Sequence, residues 1–228
     1  MTRPGDDPIV AEQIAYYAAR APEYDQWFER EGSFDAGVES NERWFAEITA
    51  LEQALDDFSP RGAVLELASG TGWWTEKLAR LTRDLTCVDA SAETIDLARP
   101  RAPGARFIRA DILSCEPERR YDVVFFSFWL SHVPAACFEP FWAMVADALA
   151  SGGRAFFIDS YYERRGGFQA AGEPDRVVSR RLNDGREFQA IKNNYDPAVL
   201  GKRLATLGWT ADVATTGSFF YYGTATRS

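Results

Sequence analysis

The chain has 228 residues, of which 46% are hydrophobic, and a formal net charge of −9 at neutral pH. That length can bury a full core, and the net charge argues against a phosphate-backbone partner, which draws on clustered cations. Residues 1–8 are polar and lack the apolar core of a signal peptide. No apolar run is long enough for a membrane span. Cys87, Cys115 and Cys137 stand far apart without metal-ligand spacing, which predicts reduced thiols, no metal and a cytoplasmic location.

In chain order, Asp7-Pro8 can cap and start a first helix with Ile9, Val10, Ile14 and Tyr17 on one face. Trp44, Ile48, Leu51, Leu55 and Phe58 recur at spacings of four and three, a helix stripe closed by Ser59-Pro60-Arg61-Gly62. Residues 63–67 read as a buried strand, followed by a turn, Ala68-Ser69-Gly70-Thr71-Gly72, whose scarcity of side chains lets backbone approach a ligand. A helix over 73–81 and a strand over 85–88 follow, ending in Asp89. Strand, glycine turn, helix, strand and acid make a nucleotide-binding βαβ unit, with the acid placed to grip a ribose diol.

Further on, the pattern predicts a helix near 92–99, a strand near 106–109, a central strand over 121–128, a helix through Phe138, Phe141, Val145 and Leu149, and a strand over 154–159. Residues 160–186, rich in glycine and charge, break the alternation and read as a lid or binding loop. A strand over 187–192, a helix over 197–207 and a closing hairpin over 210–215 and 217–226 complete the chain. The expectation is a single α/β domain over 1–228: N-terminal helices over 1–60 covering the cleft, a cofactor-binding core over 61–160 and a lid over 161–186. The fold would be a doubly wound, Rossmann-like, mostly parallel seven-stranded sheet with helices on both faces and a C-terminal antiparallel hairpin.

The nature of the ligand turns on two residues. A dinucleotide fingerprint needs a third glycine where Thr75 stands, and Glu66 at the end of the first strand would repel a diphosphate but suits a positive amino group. The run Glu66-Leu67-Ala68-Ser69-Gly70-Thr71-Gly72 resembles the first motif of the class I S-adenosylmethionine-dependent methyltransferases, small-molecule branch, departing from it at Ala68, where glycine is commoner. The resemblance covers residues 63–160 well and the rest more loosely.

The resemblance implies S-adenosylmethionine as cofactor, S-adenosylhomocysteine as product, and a set of roles. Ala68, Gly70 and Gly72 form the cofactor turn. Glu66 faces the methionine amino group, Asp89 the ribose hydroxyls, and Ala90 the adenine. Asp111 and Ile112 lie at the adenine edge, and Ser127 meets the methionine moiety. Helix capping is the alternative for Asp89 and Asp111. In the tyrosine-bearing first helix, Tyr16 would face the sulfonium, as an aromatic face attracts a cation, and Arg20 the carboxylate; an amphipathic helix with a solvent-facing Arg20 is the alternative. Trp74 is a further cofactor candidate, and Tyr24, Trp27, Trp129, Tyr161, Tyr195 and Tyr221 are candidate acceptor walls.

His132, the sole histidine, follows the central strand. Imidazole titrates near working pH, so His132 could take a proton from an acceptor hydroxyl, with a rate that rises through its pKa; a structural loop role is the alternative. The expected activity is methyl transfer to a small organic acceptor, an oxygen nucleophile first and nitrogen or carbon second, by a monomer or homodimer with no nucleic-acid or membrane partner. A nicotinamide-dependent reductase and a non-catalytic cofactor-binding module are the other classes.

Overall fold

A computed structural model of the protein describes residues 7–161, 168 and 173–227. The N-terminal part holds α1 (Pro8–Arg20), α2 (Gln26–Glu29) and α3 (Val38–Phe58). The core continues as β1 (Ala63–Leu67), α4 (Trp73–Leu81), β2 (Asp84–Asp89), α5 (Ala92–Ala98), β3 (Arg106–Arg109), β4 (Tyr121–Ser127), α6 (Phe138–Ala148) and β5 (Leu149–Ser160). Then come β6 (Val177–Arg181), β7 (Glu187–Ile191), α7 (Pro197–Thr206), β8 (Trp209–Thr215) and β9 (Phe220–Arg227).

Seven strands form one sheet in the order β3-β2-β1-β4-β5-β9-β8. The first five named are parallel, and β9 runs antiparallel to both β5 and β8. The strand order reverses between β1 and β4, which opens a crevice beyond their carboxyl ends. Side chains alternate across the sheet. Val123, Phe125, Phe156 and Ile158 pack with Leu51 and Leu55 of α3, while Val124, Phe126 and Phe157 pack with Phe141, Trp142 and Val145 of α6. Truncating a fully buried leucine such as Leu51 would cost about 2–5 kcal/mol.

Two expectations need correction. The strand expected after Gly152-Gly153 begins earlier, at Leu149, because Tyr121 pairs with Leu149 and a register shift before Val123 absorbs the glycines. The stretch read as an irregular lid contains β6, which pairs with β7 in a separate two-stranded sheet. Its period of two was hidden because exposed Val177 and half-buried Arg180 reverse the usual polarity. Residues 162–167 and 169–172 of that stretch lie outside the described residues. The β6–β7 hairpin packs against α1, and α1 supplies Val10, Gln13, Ile14 and Tyr17 to the crevice.

Candidate active site

The turn after β1 is built from left-handed backbone: Ala68, Gly70 and Gly72 have φ of 57°, 55° and 88°. At Gly72 a Cβ would sit 2.8 Å from the Ala98 Cα, so glycine is what lets α4 start against α5. At Gly70 nothing lies within 4 Å of a would-be Cβ, which leaves an open cradle on the cleft side. The Gly70 amide donates to Asp89 Oδ2 at 2.8 Å, and the Ser91 amide and Thr94 hydroxyl donate to Oδ1 at 2.9 and 3.0 Å. Burial pushes the Asp89 carboxyl up, and these hydrogen bonds oppose the shift.

Glu66 lies one strand away, 1% exposed. Thr75 Oγ1 and Cys87 Sγ donate to its Oε2 at 2.6 and 3.3 Å. Burial pushes its carboxyl up to about 8, and among the described residues no cation pairs with it. It is a buried acid lacking the positive partner that a ligand ammonium would provide.

A cleft opens at the switch point, where open α/β sheets bind their ligands. One wall is Ala68, Gly70, Asp89, Ala90, Asp111 and Ile112, and the opposite wall is Ser127, Trp129 and His132. Val10, Gln13, Ile14 and Tyr17 of α1, with Tyr24, cover it. Asp111 also accepts from the Leu113 amide and the Ser114 hydroxyl at 3.0 and 2.6 Å, so it caps its own turn while facing the cleft.

The far end of the cleft is organised around His132, 4% exposed. Its Nδ1 lies 2.6 Å from the Ile191 carbonyl and its Nε2 2.8 Å from the Tyr17 hydroxyl. A carbonyl only accepts, so Nδ1 carries the proton and Nε2 of the neutral ring accepts from Tyr17. Gln13 fixes this arrangement, donating to the His132 carbonyl at 3.1 Å and accepting from the Ile191 amide at 3.0 Å. Burial, then the charges of Lys192, Arg180 and Arg20, hold the His132 pKa well below 6.5. Next to it, fully buried Asp159 accepts from the Ser131 amide and hydroxyl, each at 2.8 Å, and faces Lys192 Nζ at 3.4 Å. Lys192 also donates to Ser131 Oγ at 2.7 Å.

Several candidates lie off the cleft wall. Adjacent helical residues point about 100° apart, so Tyr17 faces the cleft while Tyr16 turns to the β6–β7 hairpin, its ring 5.8 Å from Phe188. Arg20 stacks on Tyr24 at 4.7 Å. Trp74 packs on Phe125, Trp27 among Trp44, Phe128 and Phe220, and Tyr195 on Phe138. Tyr161 packs against the core, and Tyr221 is buried beside Phe157. Gln13, Asp159 and Lys192 escaped the sequence reading. The one available signal was Gln13 itself, a polar residue four from Ile9 and four from Tyr17 on an apolar helix face.

A parallel sheet with this switch point, a glycine turn against a βα junction and an acid at the tip of the next strand defines the nucleoside-binding methyltransferase fold. A family model described as "Methyltransferase domain" matches residues 64–153. A structure of DhpI in complex with SAH is 35% identical, covers 96% of this chain and 97% of its own, and superposes with a TM-score of 0.78. A DhpI-SAM-HEP complex is 36% identical, with 97% and 99% coverage and a TM-score of 0.79. The CcbJ methyltransferase from Streptomyces caelestis shares the fold at 19% identity, 95% and 99% coverage and a TM-score of 0.66. A search of the curated proteins finds no match. The chain belongs to the S-adenosylmethionine-dependent methyltransferases and is an enzyme that uses that cofactor. No helix among the described residues is long and apolar enough to cross a membrane.

Proposed function

We propose that the protein methylates an oxygen of a small acceptor that carries a negative charge. The observation that carries this reading is an excess of cations behind one end of the cleft. Asp89 and Asp111 line the cofactor end, whereas Lys192, Arg180 and Arg20, none of them on the cleft wall, stand close enough to His132 to depress its pKa. Asp159 answers Lys192, but among the described residues no carboxylate forms an ion pair with Arg20 or Arg180. Arg180 shares a face of the hairpin with Phe188, directly opposite it in register, and its Nε is buried without a hydrogen-bond partner. An anion on the acceptor would supply the missing charge. The DhpI-SAM-HEP complex holds a second component beside the cofactor in a related chain.

When bound, S-adenosylmethionine supplies an electrophilic methyl group on a positive sulfur. The residues present suit it: Asp89 for the ribose hydroxyls, Gly70 and Ala68 as backbone against the methionine portion, Ser127 beside them, Ile112 and Asp111 by the adenine, and Glu66 for the amino group. Trp129 and Tyr24 would wall the acceptor. Oxygen is favoured because Tyr17 and His132 offer a path for its proton; separately, Ser127-Phe128-Trp129-Leu130 lacks the Asn/Asp-Pro-Pro-aromatic run of amino-methyltransferases that act on nucleic-acid bases. Free cysteines support a reducing, cytoplasmic setting. The net charge of −9 supports a chain without a nucleic-acid partner.

The test pairs 3-hydroxypropionate with 1,3-propanediol, which share the hydroxyl and differ in charge. The acid should be methylated with the higher kcat/KM, and Arg180→Gln should raise KM for the acid about 10- to 100-fold, one charge-assisted contact, while leaving the diol unchanged. Equal turnover of both by wild type, with no effect of Arg180→Gln, would remove the anionic acceptor.

A further inference from the structure

We infer that Tyr17 is the residue that touches the acceptor oxygen, and that His132 acts through it. The inference rests on the proposed O-methylation and deepens it. The Nδ1 proton of His132 is committed to the Ile191 carbonyl at 2.6 Å, and its Nε2 lone pair to the Tyr17 hydroxyl at 2.8 Å. Both ring nitrogens are therefore occupied, and an acceptor could reach Nε2 only by displacing Tyr17. Tyr17 lines the cleft with Tyr24, and its ring meets the imidazole edge to face, 5.2 Å between centroids. Its one proton points to His132, so its oxygen keeps only lone pairs for the cleft. That oxygen recognises a hydrogen-bond donor, an acceptor hydroxyl.

The proton balance then closes without moving His132. As the acceptor oxygen bonds to the methyl carbon, the electron pair of the breaking C–S bond stays on sulfur. The acceptor proton passes to Tyr17 Oη while the proton of Tyr17 passes to His132 Nε2. The imidazolium so formed returns its proton to solvent through Tyr17 after product leaves. A weakly basic imidazole suffices, because an ether oxygen that still holds its proton is a strong acid, so the proton is lost late and downhill. The surrounding groups are Tyr17 and Arg20 from α1, Arg180 from β6, Lys192 after β7 and Asp159 from β5. The cations among them keep the resting ring neutral, and an acceptor anion would offset them during turnover.

Because His132 is the only histidine, one pair of imidazole ¹⁵N resonances reports the arrangement in the full-length protein loaded with S-adenosylhomocysteine. The expected spectrum has the proton on Nδ1 and a hydrogen-bonded Nε2, and Tyr17→Phe, which removes one oxygen, moves the Nε2 resonance to its unbonded position. A proton on Nε2, or an Nε2 resonance indifferent to Tyr17→Phe, would overturn the inference. With 3-hydroxypropionate, Tyr17→Phe and His132→Asn should each lower kcat about 10²- to 10⁴-fold, the span of a positioned base. The double variant should be no slower than either single one, as for groups acting as a unit, and cofactor affinity should hold within about threefold. The wild-type rate in mixtures of light and heavy water should curve, because two protons move. Tyr17→Phe within threefold of wild type, or a strictly additive double variant, would overturn the relay. Absence of turnover of any hydroxy acid by a protein that binds the cofactor would remove the acceptor reading, while the ¹⁵N spectra would still decide the Tyr17–His132 pair.

Discussion

The two ends of the cleft are built in opposite ways. The proposed cofactor end comes mostly from one stretch, residues 66–112, with Ser127 added from the end of β4, and its acids are held by local hydrogen bonds: Asp89 by Gly70, Ser91 and Thr94, and Asp111 by Leu113 and Ser114. The proposed acceptor end is lined by α1 and the turn after β4 and backed by the end of β5 and the β6–β7 hairpin, and its groups are joined by long-range contacts: Gln13 to Ile191, Tyr17 to His132, and Lys192 to Ser131 and Asp159. The first end depends on backbone geometry that a short motif encodes. The second depends on how an N-terminal helix docks on a C-terminal hairpin.

If the ends are independent, damage at one should leave the other's ligand alone. The largest effect on cofactor binding is expected for Asp89→Ala. Loss of a buried, charge-assisted acceptor should weaken S-adenosylmethionine by about 1.5–3 kcal/mol, roughly 10- to 150-fold. Arg180→Gln should leave that affinity within about twofold. Calorimetric titration of both variants checks this, and equal cofactor affinities for the two would dissolve the division.

A smaller effect separates the ends by pH. Glu66 has its folded pKa raised from 4.5 to about 8 by burial. The stability it contributes is therefore fully present below pH 4.5 and lost as pH rises through about 8. His132 has its folded pKa depressed below 6.5, first by burial and then by the nearby cations. Its contribution is present above pH 6.5 and lost as pH falls through its folded value. Glu66→Gln should thus flatten the alkaline limb of a Tm–pH curve, and His132→Asn the acid limb. Cofactor affinity should climb from about pH 6 to about 7.5 as Glu66 gives up its proton, before the ligand's own α-amino group begins to lose charge, and Glu66→Gln should abolish the climb. The same limb flattened by both variants would contradict the assignment. The suppressed His132 pKa also moves the expected rise of rate with pH below the neutral range.

This asymmetry explains what could be read in the sequence. The βαβ unit was legible because its strands are continuous apolar runs and its turn needs residues tolerant of left-handed backbone. That Asp89, Asp111 and Ser127 line the cleft was legible because strand ends, and the turns just past them, are fixed once strands are found. The acceptor end was not. Whether Tyr16 or Tyr17 faces the cleft depends on the rotation of α1 against β7, which Gln13 sets by bonding to Ile191 and His132. Lys192 and Asp159 stand 33 residues apart in sequence, and neither carries a local pattern. The β6 strand was obscured because Arg180 occupies an inward position where an apolar residue is expected.

The smallest predicted effect tests whether backbone strain is stored at the cofactor end. Ala68 departs from the commoner glycine and takes φ of 57°, a conformation that costs an L-residue about 1–2 kcal/mol. Glycine would relieve that cost but adds about 0.4–1 kcal/mol of chain entropy to the unfolded state. Ala68→Gly should therefore stabilise the protein by up to about 1 kcal/mol, a rise of roughly 2–4 °C in Tm for a chain of this size. Two controls fix the interpretation. Ala79→Gly, inside α4, should destabilise by about 1 kcal/mol, since the helix gains nothing from the added freedom. Gly70→Ala has open space for the methyl group but φ of 55°, so it should destabilise by about 1–2 kcal/mol from conformation alone. Opposite signs for Ala68→Gly and Ala79→Gly would show that left-handed backbone is the deciding term. Equal destabilisation by both would mean that the Ala68 methyl earns its place through packing against β1 and the cleft.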